Sequence, residues 1–183
     1  MASILIPLAQ GCEELEAVTL IDLLRRAEIE VTTASLDAGP ITASRGVVLI
    51  ADTTLDEALQ HDYDMVVLPG GLPGADHLDN DPRIADLLKK MADSGKFTAA
   101  ICAAPKVLAN IGLLDGRSAT SYPGVLDKME ISGMNYRNAA VVQDGKIITS
   151  RGPGTALDFA LHLIEQLCDK TTRDQVEASL VRP

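Results

Sequence analysis

The amino-acid sequence predicts a layered α/β fold around a mostly parallel sheet, and three observations carry that expectation. Strand and helix signals alternate from one end to the other. Some strand signals, such as Met65–Leu68 and Thr98–Ile101, are short unpunctuated runs of small or apolar residues, as suits strands covered on both faces. Hydrophobic residues make up 46% of the 183 and aromatics only 3%, so the core must be built from closely packed Ala, Val, Ile and Leu. The length fits one domain, residues 1–183, able to bury about 70% of its unfolded surface without disulfides or metal.

Each element has a local reason. Ser3–Leu8 reads as the first strand and Glu13–Ala27 as a helix in which Leu15, Val18, Ile21 and Leu24 form one apolar stripe. Ile29–Ser35 is a second strand, and Pro40–Ala51 holds two short extended pieces folded about Ser44-Arg45-Gly46 as a hairpin. A short helix at Leu55–Leu59 leads into strand Tyr63–Leu68, which Gly70-Gly71 ends. Pro82 opens a helix through Ser94 that Gly95 closes, and Phe97–Ile101 follows as a strand. Ala103–Ile111 has helical spacing, with Pro105 tolerated in its first turn. Ala139–Val142 and Lys146–Ser150 flank Asp144-Gly145, a two-residue hairpin signal. Gly154–Cys168 is a long helix with Leu157, Ala160, Leu161 and Ile164 inward, and Thr171–Leu180 is a last one capped by Thr171 or Thr172. No repeat, low-complexity tract or linker interrupts this order.

Composition narrows the function classes. Cys12, Cys102 and Cys168 are odd in number, far apart and without CxxC spacing, which argues against a disulfide framework or a metal site and for a reducing, cytoplasmic setting. Sixteen Lys and Arg against 26 Asp and Glu give a formal charge of -10, and no basic cluster offsets it, so specific nucleic-acid binding is not expected. The opening MASILIPLAQG has no basic flank and reads as a strand rather than a signal peptide, and no segment approaches the roughly 18 apolar residues needed to span a membrane.

The chemistry is expected at the carboxyl ends of the strands, where the loops after Leu8, Leu68 and Ile101 converge. Cys102 sits on a strand-to-helix turn, where unpaired N–H groups of the helix start favour thiolate over thiol; the alternative is a small buried hydrophobe. Gly70-Gly71 lets a main-chain amide approach a ligand closely, and the N–H groups of Gly71 and Ala103 are candidate oxyanion donors; the plainer reading is a tight strand exit. Glu13, Glu14 and Glu16 lie in a first helical turn, where the dipole alone explains acidic residues. If Glu16 faces Cys102, its pKa should rise and its protonated form would donate to the sulfur. The three histidines are poorly placed as thiol activators: His61 precedes a strand, His162 lies in the long helix, and His77 follows the Gly-Gly loop as the one nearest the site.

Taken together, GCEELEAV, LLRRAEIEVTTAS, SRGV at Ser44–Val47, VVLPGG at Val66–Gly71, AAICAAP at Ala99–Pro105 and TSRGPGTALDFAL at Thr149–Leu161 resemble the ThiJ/PfpI superfamily over essentially the whole chain. The similarity is greatest to its branch of the parkinsonism-associated deglycase and chaperone and the bacterial YajL-type proteins. The resemblance implies a flavodoxin-like three-layer sandwich, a homodimer, Cys102 as the reactive cysteine and Glu16 as its protonated partner. It also implies an anion pocket of Gly70, Gly71 and Ala103, with Arg45 reaching toward the neighbouring subunit's site and Tyr122, Gly152 and Pro153 framing the pocket. Two departures stand out. Tyr122-Pro123 replaces the histidine-proline of many relatives, and a phenol with a pKa near ~10 is a poor base at neutral pH. Ala103 occupies the place of the peptidase branch's histidine, which disfavours peptide hydrolysis.

The function this implies is a cysteine-dependent, cofactor-independent enzyme acting on reactive dicarbonyls or their early protein or nucleotide adducts, of glyoxalase or deglycase type. The alternative is a redox-sensing stress chaperone whose Cys102 is oxidised to sulfinate. A flavin or nucleotide binder is weakened by the lack of GxGxxG or a P-loop.

Overall fold

The computed structural model describes residues 1–182. Seven strands form the main sheet: β1 (Ser3–Leu8), β2 (Glu30–Ser35), β3 (Thr53–Thr54), β4 (Met65–Leu68), β5 (Phe97–Ile101), β6 (Val141–Asp144) and β7 (Ile147–Ser150). Their order is β6-β7-β5-β4-β1-β2-β3, and every pairing is parallel except the β6–β7 hairpin at one edge. The chain leaves β1 toward β2 and β3, then returns to the other side of β1 as β4. That reversal opens a crevice beyond the carboxyl ends of β1 and β4, where ligands bind in sheets of this kind.

Side-chain alternation builds the two outer layers. Ile4, Ile6 and Leu8, Met65 and Val67, and Ala99 and Ile101 face one core, with α1 (Glu14–Arg26), α6 (Ala156–Leu167) and α7 (Lys170–Ser179) over it. Leu5, Val66, Leu68 and Ala100 face the other, covered mainly by α2 (Leu55–Ala58), α3 (Gly74–Asn80), α4 (Pro82–Asp93) and α5 (Pro105–Asn110). With both faces buried, the strands need no polar alternation, which is why their sequences read as short apolar runs. The fold is therefore the three-layer, flavodoxin-like α/β sandwich that the sequence predicts.

Several details depart from local expectation. α1 does not turn its Leu15–Leu24 stripe inward as a unit: Leu15 is 50% and Val18 45% exposed, while Glu14, Glu16, Ala17 and Leu20 are buried. Leu157 of α6 is likewise exposed, unlike Ala160, Leu161 and Ile164. α7 starts at Lys170, with Asp169 rather than a threonine as its cap, accepting from Thr172 N–H at 2.7 Å. α5 starts at Pro105, and a 3-10 turn at Pro153–Thr155 precedes α6. The hairpin about Arg45 forms from Ile41–Thr42 and Val48–Leu49. Unanticipated are α3, β3 and a parallel ribbon of Ser118–Ala119 with Asn135–Tyr136. No described helix is long and apolar enough to cross a membrane.

Candidate active site

Cys102 follows β5 directly and adopts a left-handed φ of +65°, which side chains other than glycine rarely take. Two main-chain bonds hold it there. Its N–H donates to Ser150 O at 3.1 Å, and its carbonyl accepts from Tyr122 N–H at 2.8 Å. The residue is only 8% exposed and packs against the core on the α1 and α6 side of the sheet.

Gly70 and Gly71 bring the neighbouring main chain against it. A Cβ on Gly70 would lie 2.6 Å from Cβ of Cys102 and 2.9 Å from Oε2 of Glu16, so only glycine fits. Gly71 has φ +88°, and a Cβ there would lie 2.4 Å from Glu13 N. Gly70 O accepts from Glu13 N–H at 2.9 Å, which ties this loop to the start of α1. The N–H groups of Gly71 and Ala103 act on the Cys102 thiol and favour its ionised form.

Glu16 completes the group. It is wholly buried, accepts from Gly70 N–H at 2.8 Å through Oε2, and lies close enough to Cys102 for each to shift the other's titration; its Oε1 has no partner among the described residues. Burial pushes its carboxyl up to about 7, against the opposing pull of the Gly70 and Cys102 hydrogen bonds. Burial and then the Glu16 charge push Cys102 up to about 12, while the Gly71 and Ala103 amides pull it down. The amide effect expected from the turn is present, but here desolvation and the carboxylate outweigh it. The two groups titrate as one unit. The pair gives up a first proton near the Glu16 value of about 7 and the second only near about 12. Between those limits the pair holds one negative charge and one proton.

Of the remaining predicted residues, Tyr122 is bonded to Cys102 through the main chain and Gly152 packs on its ring, whereas Arg45 stands on the hairpin. Tyr122 is half exposed, and its ring packs on Gly152, whose added Cβ would lie 3.1 Å from the ring. Pro153 begins the turn beyond, where Thr155 Oγ1 and Ser150 Oγ stand 2.7 Å apart. Arg45 is exposed on its hairpin, with Nη1 on Ser44 O at 3.3 Å and no acidic partner among the described residues. The sequence reading missed what anchors that hairpin. Glu14 accepts from Arg45 N–H at 2.8 Å, and Ser44 Oγ lies 2.9 Å from a carboxylate oxygen of each of Glu13 and Glu14, with one proton to give; the hydrogen bonds to Glu14 hold its carboxyl below its ordinary value despite burial. The only signal for this was the acidic first turn itself.

His77 is exposed on α3 and His61 is exposed before β4. His162 bonds Gln143 at 2.6 Å. None is among the groups bonded to Cys102. Cys12 is buried in the loop before α1, and burial followed by the Glu14 charge pushes its thiol up to about 11.

A model of the DJ-1/PfpI family matches residues 2–166. The chain is 41% identical over 181 residues to protein DJ-1 homolog A of Arabidopsis thaliana, covering 98% of the chain but 46% of that relative; it thus spans about half that protein's length. It is 42% identical over 180 residues to protein dj-1beta of Drosophila melanogaster, covering 98% of this chain and 96% of that one. Over 166 residues it is 37% identical to a Caenorhabditis elegans protein named glutathione-independent glyoxalase DJR-1.2, covering 91% and 88%. The crystal structure of Drosophila melanogaster DJ-1beta superimposes with a TM-score of 0.94 at 41% identity, covering 100% of this chain and 98% of that one. The structure described as Toxoplasma gondii DJ-1, oxidized, gives 0.93 at 38%, covering 99% and 98%. By these matches across nearly its whole length, the chain belongs to the DJ-1/PfpI family.

Proposed function

We propose that this protein is a cysteine-dependent enzyme, needing no cofactor, that converts reactive dicarbonyls or their early protein or nucleotide adducts. The observation that carries the reading is the buried Glu16 carboxyl, tied to Gly70 N–H at 2.8 Å and raised to about 7, in a pair with Cys102 whose thiol the Gly71 and Ala103 amides pull down. The name of the Caenorhabditis elegans relative supports the substrate class.

With methylglyoxal, the singly charged pair adds sulfur to the aldehyde carbon, and Glu16 gives its proton to the alkoxide, leaving a hemithioacetal and a carboxylate. The amides of Gly71 and Ala103 hold the oxyanion while it exists. The Glu16 carboxylate takes the proton from that carbon to form an enediolate and returns it to the adjacent carbon, while the hydroxyl proton passes from the first oxygen to the second, which yields a lactoyl thioester. Water then releases lactate and the thiol. One acid-base group that regains its proton suffices, so neither histidine nor the Tyr122 phenol has to act as base. Lactate formation, compared among the wild type, Cys102→Ser and Glu16→Gln, tests this; the expected result is loss in both variants, and equal rates in all three overturn it.

The same donors favour a second reading, a redox sensor and stress chaperone. Two equivalents of peroxide would convert the Cys102 thiolate to sulfinate, releasing two waters, and the amides with Glu16 would hold the new oxygens. The oxidized Toxoplasma gondii relative supports it.

A homodimer belongs to the proposal. Its support is the exposure of Leu15 and Val18 on α1 and of Val47, Val48 and Ile50 on the hairpin that Glu14 ties to the start of α1. Three free cysteines support a reducing, cytoplasmic setting.

A further inference from the structure

The two amides that face the Cys102 sulfur come from different parts of the chain, and each is carried by a short helix. Gly71 is joined to α3, since Ala75 N–H donates to Gly71 O at 2.8 Å. Ala103 stands one residue before Ala104, the N-cap of α5, and its carbonyl accepts from Lys106 N–H. Neither helix has a side-chain cap: Pro73 and Ala104 occupy the cap positions. Any sliding of α3 against α5 therefore changes the distance between the two donors.

Two polar links cross between these helices. Lys106 in the first turn of α5 pairs with Asp76 of α3, and one turn later Asn110 Nδ2 donates to Asp79 Oδ2 at 2.7 Å. The spacing, four residues on α5 and three on α3, puts both links on facing sides. Lys106 is only 19% exposed, so its ammonium is held rather than freely solvated. Leu78, Val107 and Leu108 fill the same core beneath, but apolar packing alone permits small slips that directional bonds do not.

We propose that Lys106 and Asp76 are positioning residues: their ion pair, seconded by Asn110 and Asp79, clamps α3 to α5 and so sets the spacing of the Gly71 and Ala103 N–H groups about the Cys102 sulfur. They touch no reacting atom. The proposal shares with the proposed function the premise that Cys102 is the reactive thiol, but not the substrate.

The test is the pH profile of Cys102 alkylation by iodoacetamide, located by peptide mass analysis, in the full chain and in Lys106→Met, Lys106→Arg, Asp76→Asn and the Lys106→Met/Asp76→Asn double variant. Loss of the clamp predicts the same direction in both single variants: roughly tenfold slower alkylation at neutral pH and a midpoint moved upward. The double variant should be no worse than either single one, and Lys106→Arg should keep most of the wild-type rate. Asn110→Ala, an exposed change that leaves the core intact, should move the profile the same way by less, which keeps the test alive if a Lys106 variant does not fold. Opposite shifts for Lys106→Met and Asp76→Asn would mean a bare charge effect and overturn the clamp. So would a lowered melting temperature with an unchanged profile. If wild-type Cys102 reacts no faster than an ordinary thiol, the proposed function and the clamp both fall; a reactive wild type matched by every variant removes the clamp alone.

Discussion

Oε2 of Glu16 accepts the main-chain N–H of Gly70 at 2.8 Å across 54 residues of sequence, at a point where a single methyl on Gly70 would strike both that oxygen and Cβ of Cys102. Acid, sulfur and donor loop are thus locked to one another by close approach, and the properties of each depend on the others.

The first consequence is a pH profile that belongs to the pair. Alkylation of Cys102 should rise with a midpoint near the Glu16 value of about 7, because the first proton lost there is the one that makes the pair anionic. Glu16→Gln removes that ionisation and the carboxylate's repulsion together, so one midpoint should remain, above about 7 and below about 12. An unchanged profile in Glu16→Gln would show that the carboxyl does not control the thiol.

Stability should carry the same signature with a definite sign. A carboxyl raised from 4.5 to about 7 by burial favours the folded state while it is protonated, and that contribution is complete below 4.5 and lost as pH rises through about 7. The melting temperature of the wild type minus that of Glu16→Gln should therefore fall between those limits. Calorimetry at several pH values checks it, and a flat difference contradicts the burial argument.

Gly70→Ala should cost about 1–3 kcal/mol, since the added carbon meets main chain and Cβ atoms that cannot swing aside. Gly152→Ala should stay within ~0.5 kcal/mol, because the atom it meets at 3.1 Å belongs to the half-exposed Tyr122 ring. Denaturant titration of both variants separates the two cases.

Mild peroxide should add two oxygens at Cys102 and leave Cys12 and Cys168 reduced. The selectivity rests on the Cys102–Glu16 pair becoming anionic near about 7; neither Cys12, buried and pushed up to about 11, nor Cys168, raised by burial and by Asp169, is coupled to a carboxyl that titrates there. Peptide mass analysis reads the site, and oxidation first at Cys168 would remove the selectivity on which the sensor reading depends.

Val48→Glu or Leu15→Glu places a charge in the exposed apolar patch. Light scattering should give twice the 19.4 kDa chain mass for the wild type and a single chain for either variant. A monomeric wild type would overturn the homodimer.

The nucleophile turn was legible because everything that makes it is local: a short run of buried residues, a cysteine, then Pro105, which only a first helical turn accepts. The Gly-Gly loop and the β6–β7 hairpin were legible for the same reason. α1 was misread in phase, since apolar spacing identifies a face without saying whether a core or the solvent lies against it; Leu15 and Val18 are exposed while Glu14 and Glu16 are inside. α3 escaped notice because GADHLDN has no apolar repeat long enough to register.

Alternation of strand and helix, apolar runs and the composition of the core determined by themselves that this chain folds as layers about a parallel sheet with Cys102 at a strand end. Local pattern did not separate Glu16 from Glu13 and Glu14, and the family resemblance singled it out; only the folded arrangement decided that burial and a neighbouring charge outweigh the amides in setting the proton affinity of the sulfur. The reason is physical: propensity acts within a few residues, whereas desolvation and hydrogen bonding depend on which distant segments the sheet order brings to one crevice.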